Sequence, residues 1–174
     1  VDADAGLGAA VNAGARAATG DIIVTVDADS MMSDNMLLEI DRGLASGRYV
    51  GGGVPVYPER WSVGIFLSWV VLSVVMAAAR LTGGVYWCRR KDFEAIGGFN
   101  EKLLVAEDLD FARRLKRHGR ARGLRLGVLT KTRMVTACRK FDRFGDWFFL
   151  RMLLLRAREL RRVAGGGDRA FADR

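Results

Sequence analysis

The sequence predicts an α/β fold, a mixed sheet with helices on both of its faces, and three observations predict it. Segments of helical periodicity alternate with short apolar, β-branched segments along the chain, the order that sheet-and-helix layers require. The 174 residues are 50% hydrophobic, enough to give one domain a core and too few for two large ones. The stretch "DIIVTVDADS", residues 21–30, stops an apolar run on two acids, Asp27 and Asp29, and strands in such sheets offer their carboxyl ends to ligands.

The elements follow in order. "GLGAAVNAGARAATG" (6–20) is a helix of small side chains closed by Gly20, and a strand over 21–27 follows directly. "DNMLLEIDRGLASG" (34–47) reads as an amphipathic helix with Ser33 or Asp34 as N-cap, Met36, Leu37, Ile40 and Leu44 inward, and Gly47 as terminator. "RYVGGGVPVYP" (48–58) is a strand interrupted by glycine. Nineteen residues, Trp61 to Ala79, then pass without a charge. Their length is marginal for a bilayer and Ser62, Gly64, Ser68 and Ser73 dilute them, so we expect a helix in the core or at a membrane interface rather than a span. A strand at 83–90, a short helix at 91–96, the turn "GGFNE", a charged helix near 106–118 and a strand near 124–137 complete a domain over 1–145. A basic amphipathic helix starting near 143, counted as a separate element over 146–163, and a disordered tail over 164–174 end the chain. Because Val1 opens inside what reads as an element under way, an N-terminally truncated domain is expected.

Period-two geometry puts Asp27 and Asp29 on one side of the strand end, with Ala28 turned away. Two hard oxygen ligands there suit Mg²⁺ or Mn²⁺ bridging a diphosphate. The same acids can simply begin a loop.

Formal net charge is +8. The cations crowd the second half, which favours anionic partners such as phosphorylated substrates or an acidic membrane surface. Nucleic acid is not expected, because the cations are not interleaved with aromatics on a recognition element. Two cysteines, Cys88 and Cys138, form neither a metal spacing nor a disulfide framework, a pattern compatible with a reducing compartment.

"NAGARAATGDIIVTVDADS", followed by "GGVYWCRRKDFEAIGGFNEKLLVAEDLDFARRLKRHG", resembles the inverting glycosyltransferases of family 2, which have the GT-A fold. The small-residue helix, the strand ending in D-x-D, the "GGF(N/D)E" turn and an "ED" pair opening a helix occur there in this order. The resemblance covers about residues 6–145 and implies transfer of a sugar from a nucleotide-diphospho-sugar to an acceptor hydroxyl. It implies Asp27 and Asp29 as holders of Mn²⁺ or Mg²⁺ and the donor diphosphate, and the Glu107 and Asp108 pair as source of the base. It departs from the family at Val11, where an Arg often precedes the equivalent of Asn12, and the family's first strands, which hold the nucleotide base, would precede Val1.

The chemistry suits two acid groups. The departing diphosphate needs metal and cations, and the acceptor hydroxyl needs a base on the opposite face, which gives inversion in one step without a covalent nucleophile. Asp108 is our choice of base, Glu107 orients the acceptor or the loop, and Asp110 reads as solvated surface. Gly97 and Gly98 serve a tight turn or admit an acceptor. Trp87 stacks on a sugar or is buried in its strand. Phe99 reads as core, and His118 as a C-terminal cap rather than a metal ligand. "CRKFDRFGDW" (138–147) looks like the basic loop that family members carry after the "ED" helix, making Arg139, Lys140 and Arg143 diphosphate ligands, or else a basic patch facing solvent or lipid. The uncharged segment and basic last third point to a lipid-linked or saccharide acceptor at the cytoplasmic, inner face of a membrane. The alternative reading is a non-catalytic membrane-associated or sugar-binding module derived from such an enzyme.

Overall fold

The computed structural model of the chain describes residues 6–79, 84–103 and 106–155. They form two compact units. One comprises the residues up to Tyr57 together with Val74–Ala137, the other Pro58–Ser73 and the residues from Cys138 onward.

The first unit contains α1 (Gly6–Ala17), β1 (Ile22–Thr25), β2 (Ser30–Met32), α2 (Met36–Ala45), β3 (Tyr49–Gly53), β4 (Val56–Pro58), β5 (Tyr86–Arg89), α4 (Arg90–Ala95), α5 (Glu107–Arg120), β6 (Arg125–Val128) and β7 (Met134–Thr136), with the end of α3 (Val63–Ala79). A four-stranded sheet runs β1-β5-β3-β6 and a three-stranded sheet β2-β7-β4. Pairing is antiparallel for β1/β5 and β3/β5 and parallel for β3/β6, so the larger sheet is mixed.

The centre of that sheet is dictated by "VYWC". Period two sends Tyr86 and Cys88 into one apolar cluster with Ile23, Val50, Phe93, Phe99, Phe111 and Leu115, and Val85 and Trp87 into another with Met36, Ile40, Leu44 and Met134. Helices α4 and α5 cover the first face and α2 the second, as an α/β sheet with helices on both faces requires. Stacked rings of Phe99 and Phe111, 4.2 Å between centroids, fix α5 against the 97–101 turn. Strands β3 and β6 approach so closely that a Cβ at Gly52 would collide with the backbone carbonyl of Gly127, which only glycine permits.

Several elements differ from the sequence reading. Helix α1 ends at Ala17 rather than Gly20, and β1 ends at Thr25 rather than Asp27. The segment 48–58 is two strands in different sheets, broken at Val54 and Pro55, and the segment 124–137 likewise divides into β6 and β7. Proline has no N–H to continue a ladder, so Pro55 marks the change of sheet. Residue Asn35, not Ser33 or Asp34, precedes α2. The Ser33 hydroxyl pairs with that of Thr132 at 2.6 Å, and the Asn35 amide donates to Lys131 O, so neither caps the helix. Leu37 flanks the buried stripe of α2 and is exposed.

In the second unit, Ser62 Oγ accepts the Ile65 amide and starts α3. Arg60 grips Asp142 at 2.6 Å and Asp146 at 2.9 Å. The stretch read as a basic loop is a short helix, α6 (Arg139–Phe144), ended by Gly145 at φ +85°, and residues 148–155 are helical again. The expected basic helix is therefore interrupted at Gly145. Its remainder, 156–163, and the tail 164–174 lie outside the described residues. Among the described residues no helix is long and apolar enough to cross a membrane.

Candidate active site

Helix α5 opens on Glu107 and Asp108, both half-buried. Burial first, and the neighbouring Glu107 charge second, push the Asp108 carboxyl above its ordinary value, against the pull of the Leu109 amide that it accepts at 2.7 Å. A carboxyl so placed holds a proton more readily than a surface acid, as a general base must. The residue before the pair, Ala106, sits in the left-handed region at φ 63°, ψ 24°. For a residue with a Cβ that conformation costs about 1–2 kcal/mol, and such outliers gather at functional sites.

Two side chains on separate helices hold the turn that precedes this pair. Asn12 of α1 is buried. Its amide donates to Phe99 O at 2.9 Å and Glu101 Oε1 at 2.8 Å, and its oxygen accepts the Phe99 amide at 2.8 Å. Arg114 of α5 donates to Ile96 O and Gly98 O, both at 2.7 Å, and pairs with Asp110 at 2.7 Å. Asp110 is thus an ion-pair partner, correcting the reading of it as solvated surface. Gly98, at φ +64°, is pressed on by Asn12 Oδ1 and by Phe93 and has no open face, so its glycine answers to the turn; Gly97, at φ +75°, stands in open space.

Sequence reasoning missed Arg114. The Asp110/Arg114 spacing of four was a visible signal, but the two carbonyl acceptors were not. Arg114→Lys keeps one charge but loses the planar guanidinium that holds Asp110 through Nε while Nη1 donates to both carbonyls. We expect kcat to fall about tenfold while donor KM holds, the signature of a displaced rather than missing group. Unchanged kcat at equal folded fraction would remove Arg114 as a positioning residue.

The D-x-D lies in a turn beyond β1. Ser30 N–H donates to Asp27 O at 3.1 Å, and Ala137 N–H to Asp29 O at 3.0 Å, with β2 following and pairing β7. Strand alternation therefore does not orient these acids, a correction to the argument from period two. Asp27 is exposed and Asp29 half-buried. Thr25, two residues earlier, is paired with Tyr86, whose phenol is pushed up by burial first and by the Asp108 charge second. Tyr86 thus feels the charge of Asp108 and pairs with the strand leading to the D-x-D. Among the described residues no His, Cys, Asp or Glu cluster of three or more is disposed to hold a metal. Two carboxylates do not make an all-protein cage, but they fit Mg²⁺ or Mn²⁺, which complete their shells with water and substrate phosphates.

Other residues resolve differently. Trp87 is completely buried, edge-on to Tyr49, and donates its Nε1–H to Gly53 O at 3.1 Å. It is core, and its placement as an acceptor platform is corrected. His118 Nε2 lies 3.0 Å from the buried carboxylate of Asp92, which also pairs with Arg122, so it ties α5 to α4. Cys88, buried and pushed up to about 12 by burial and then by the Asp92 charge, is no ready nucleophile. Arg139, Lys140 and Arg143 share one face of α6 in the second unit, all exposed, with Arg143 over the Phe144 ring. Asp27, Asp29, Glu107 and Asp108 belong to the first unit and these cations to the second.

Residues 2–92, just over half of the chain and including the D-x-D, match the family described as Glycosyl transferase family 2. Residues 71–137, which contain the "GGFNE" turn and the Glu107 and Asp108 pair, match the family described as the N-terminal domain of galactosyltransferase. A comparison with curated proteins found no match.

Proposed function

The chain belongs to glycosyl transferase family 2, and on that premise we propose that it moves a sugar from a nucleotide-diphospho-sugar to an acceptor hydroxyl with inversion. Asp108 takes the acceptor's proton, Glu107 orients the acceptor, and Asp27 and Asp29 hold Mn²⁺ or Mg²⁺ together with the donor diphosphate. Bound there, the cation would supply charge neutralisation for the leaving group. The observation that carries the reading is the Asp108 carboxyl, raised by burial at the head of a helix whose preceding turn is braced by Asn12 and Arg114. Single displacement needs only this base and a stabilised leaving group, with no covalent nucleophile.

The acceptor we propose is lipid-linked or saccharide, at the cytoplasmic face of a membrane, supported by uncharged α3 and the basic last third of the chain. The test is a panel of nucleotide-sugars with Mn²⁺, read as release of nucleoside diphosphate. Release above background with one donor supports the reading, and silence across the panel from folded protein sinks it.

For Arg139, Lys140 and Arg143 we propose a part in neutralising the departing diphosphate, where a planar guanidinium gives paired hydrogen bonds that a point charge does not. Arg139→Lys should then lower turnover about tenfold with soluble donor and acceptor. A silent Arg139→Lys leaves these residues as a plain basic patch.

A further inference from the structure

We propose that the second unit is a seat for an anionic bilayer surface, occupied in the plane of the interface rather than across it. The proposal rests on the membrane-facing part of the reading above and is independent of the chemistry at Asp108. Helix α3 carries no charge from Val63 to Ala79 and is apolar all round, a composition that proteins ordinarily bury completely. Here it buries only Gly64, Ile65 and Ser68. Gly64 admits the backbone of Asp146, and Ser68 satisfies its hydroxyl on Gly64 O at 2.7 Å. Apart from Ile65 and the partly buried Trp69, Val70 and Met76, its large side chains are exposed, Val63 at 69% and Leu72 at 57%.

The helical stretch 148–155, "FFLRMLLL", repeats the pattern, with Leu154 and Leu155 each 60% exposed. Together Val71, Trp147, Leu150, Leu153 and Leu154 line an open apolar groove of about 630 Å³ that has one cation at its wall, Arg151. Exposed apolar surface of this kind marks a partner or a membrane.

Charge selects between them. Among the described residues of this unit the acids have partners within it. Asp142 and Asp146 grip Arg60, and Glu59 accepts the Cys138 amide at 2.8 Å. Arg151 is exposed on the same unit, at the wall of the groove, and the sequence continues with Arg156, Arg158, Arg161 and Arg162 against one acid, Glu159. A two-fold contact between copies would set this cationic surface against itself, whereas anionic headgroups complement it, each cation adding about 1 kcal/mol near the surface. Exposed Trp61 and Trp147 suit the headgroup level, where indoles collect. At about 1.5 Å rise per residue, α3 is about 25 Å long, short of the roughly 30 Å hydrocarbon layer.

The experiment adds vesicles to the full chain without donor. Trp61, Trp69 and Trp147 belong to this unit and only Trp87 to the other, so indole emission reports mainly on the seat. We expect a blue shift and co-sedimentation with vesicles of phosphatidylcholine containing phosphatidylglycerol, weakened by salt, and little with phosphatidylcholine alone. Arg151→Gln should lower the partition constant about fivefold, and Leu154→Asp at least as much. Both should retain native circular dichroism and donor turnover with a soluble acceptor measured without vesicles. Loss of that turnover in the parent would bear on the glycosyl-transfer reading and not on this one. Failure to bind anionic vesicles overturns the proposal, as does binding that Arg151→Gln leaves unchanged. A concentration-dependent dimer that Leu154→Asp dissolves would give the face to a second copy and overturn it equally.

Discussion

Asp108→Asn is expected to lower turnover by about 10²-fold or more, the scale of a lost general base, with donor binding nearly intact. The pH dependence carries a second signature. The base works ionised, and burial and the Glu107 charge raise its carboxyl above the ordinary 3.8. The acid limb of kcat/KM should therefore lie above that value, with activity lost as pH falls through it, and the limb should vanish in the Asn variant. Stability runs the other way. A raised carboxyl contributes most to the native state while protonated, below 3.8, and that contribution is lost as pH rises through the native value. Asn never ionises and its oxygen can still accept the Leu109 amide. The variant should thus be no less stable than the parent at neutral pH, and thermal melts at neutral and acidic pH check this. Equal losses in donor affinity and rate would identify a structural carboxylate instead.

Asp29→Asn is expected to remove Mn²⁺-dependent turnover, by about 10³-fold, the rate equivalent of several kcal/mol of charge stabilisation at the leaving group. The substitution leaves in place the hydrogen bond from Ala137 N–H to the backbone carbonyl of Asp29, and circular dichroism checks that the fold survives. Metal titration of donor binding separates the two parts. The parent should bind donor more tightly with Mn²⁺ and the variant should not. Undiminished activity would remove the metal assignment at this residue.

The legible parts of the fold were those written locally. Alternation through Val85, Tyr86, Trp87 and Cys88 announces a strand covered on both sides, and Gly47, read as the terminator of α2, stands just past its end in the left-handed conformation. Non-local pairing decided the rest. Whether Asp29 continues a strand or enters a turn depends on β7, which pairs β2 from about a hundred residues away. The changes of sheet at Pro55 and after Val128 depend on which partner each strand finds. Trp87 was open between sugar platform and core until Met36, Ile40 and Leu44 of α2, with Met134, closed over its face of the sheet. At the site, the "ED" pair was visible as acids in a first helical turn, while Arg114 looked like one more exposed cation of a basic helix. Its two carbonyl acceptors lie 16 and 18 residues earlier in the chain, and no spacing rule reaches that far.

Ala106 has a consequence for how the proposed base is hinged. Glycine would occupy φ 63° without penalty, yet it would also occupy the mirror half of the map, and the start of α5 would then swing through many orientations. A methyl group confines the joint to a narrow well, uncomfortable but single. The helix that carries Asp108 begins on a stiff knuckle rather than a loose one, so if Asp108 is the base we propose, the freedom it would otherwise lose at each turnover has already been removed when the chain folds.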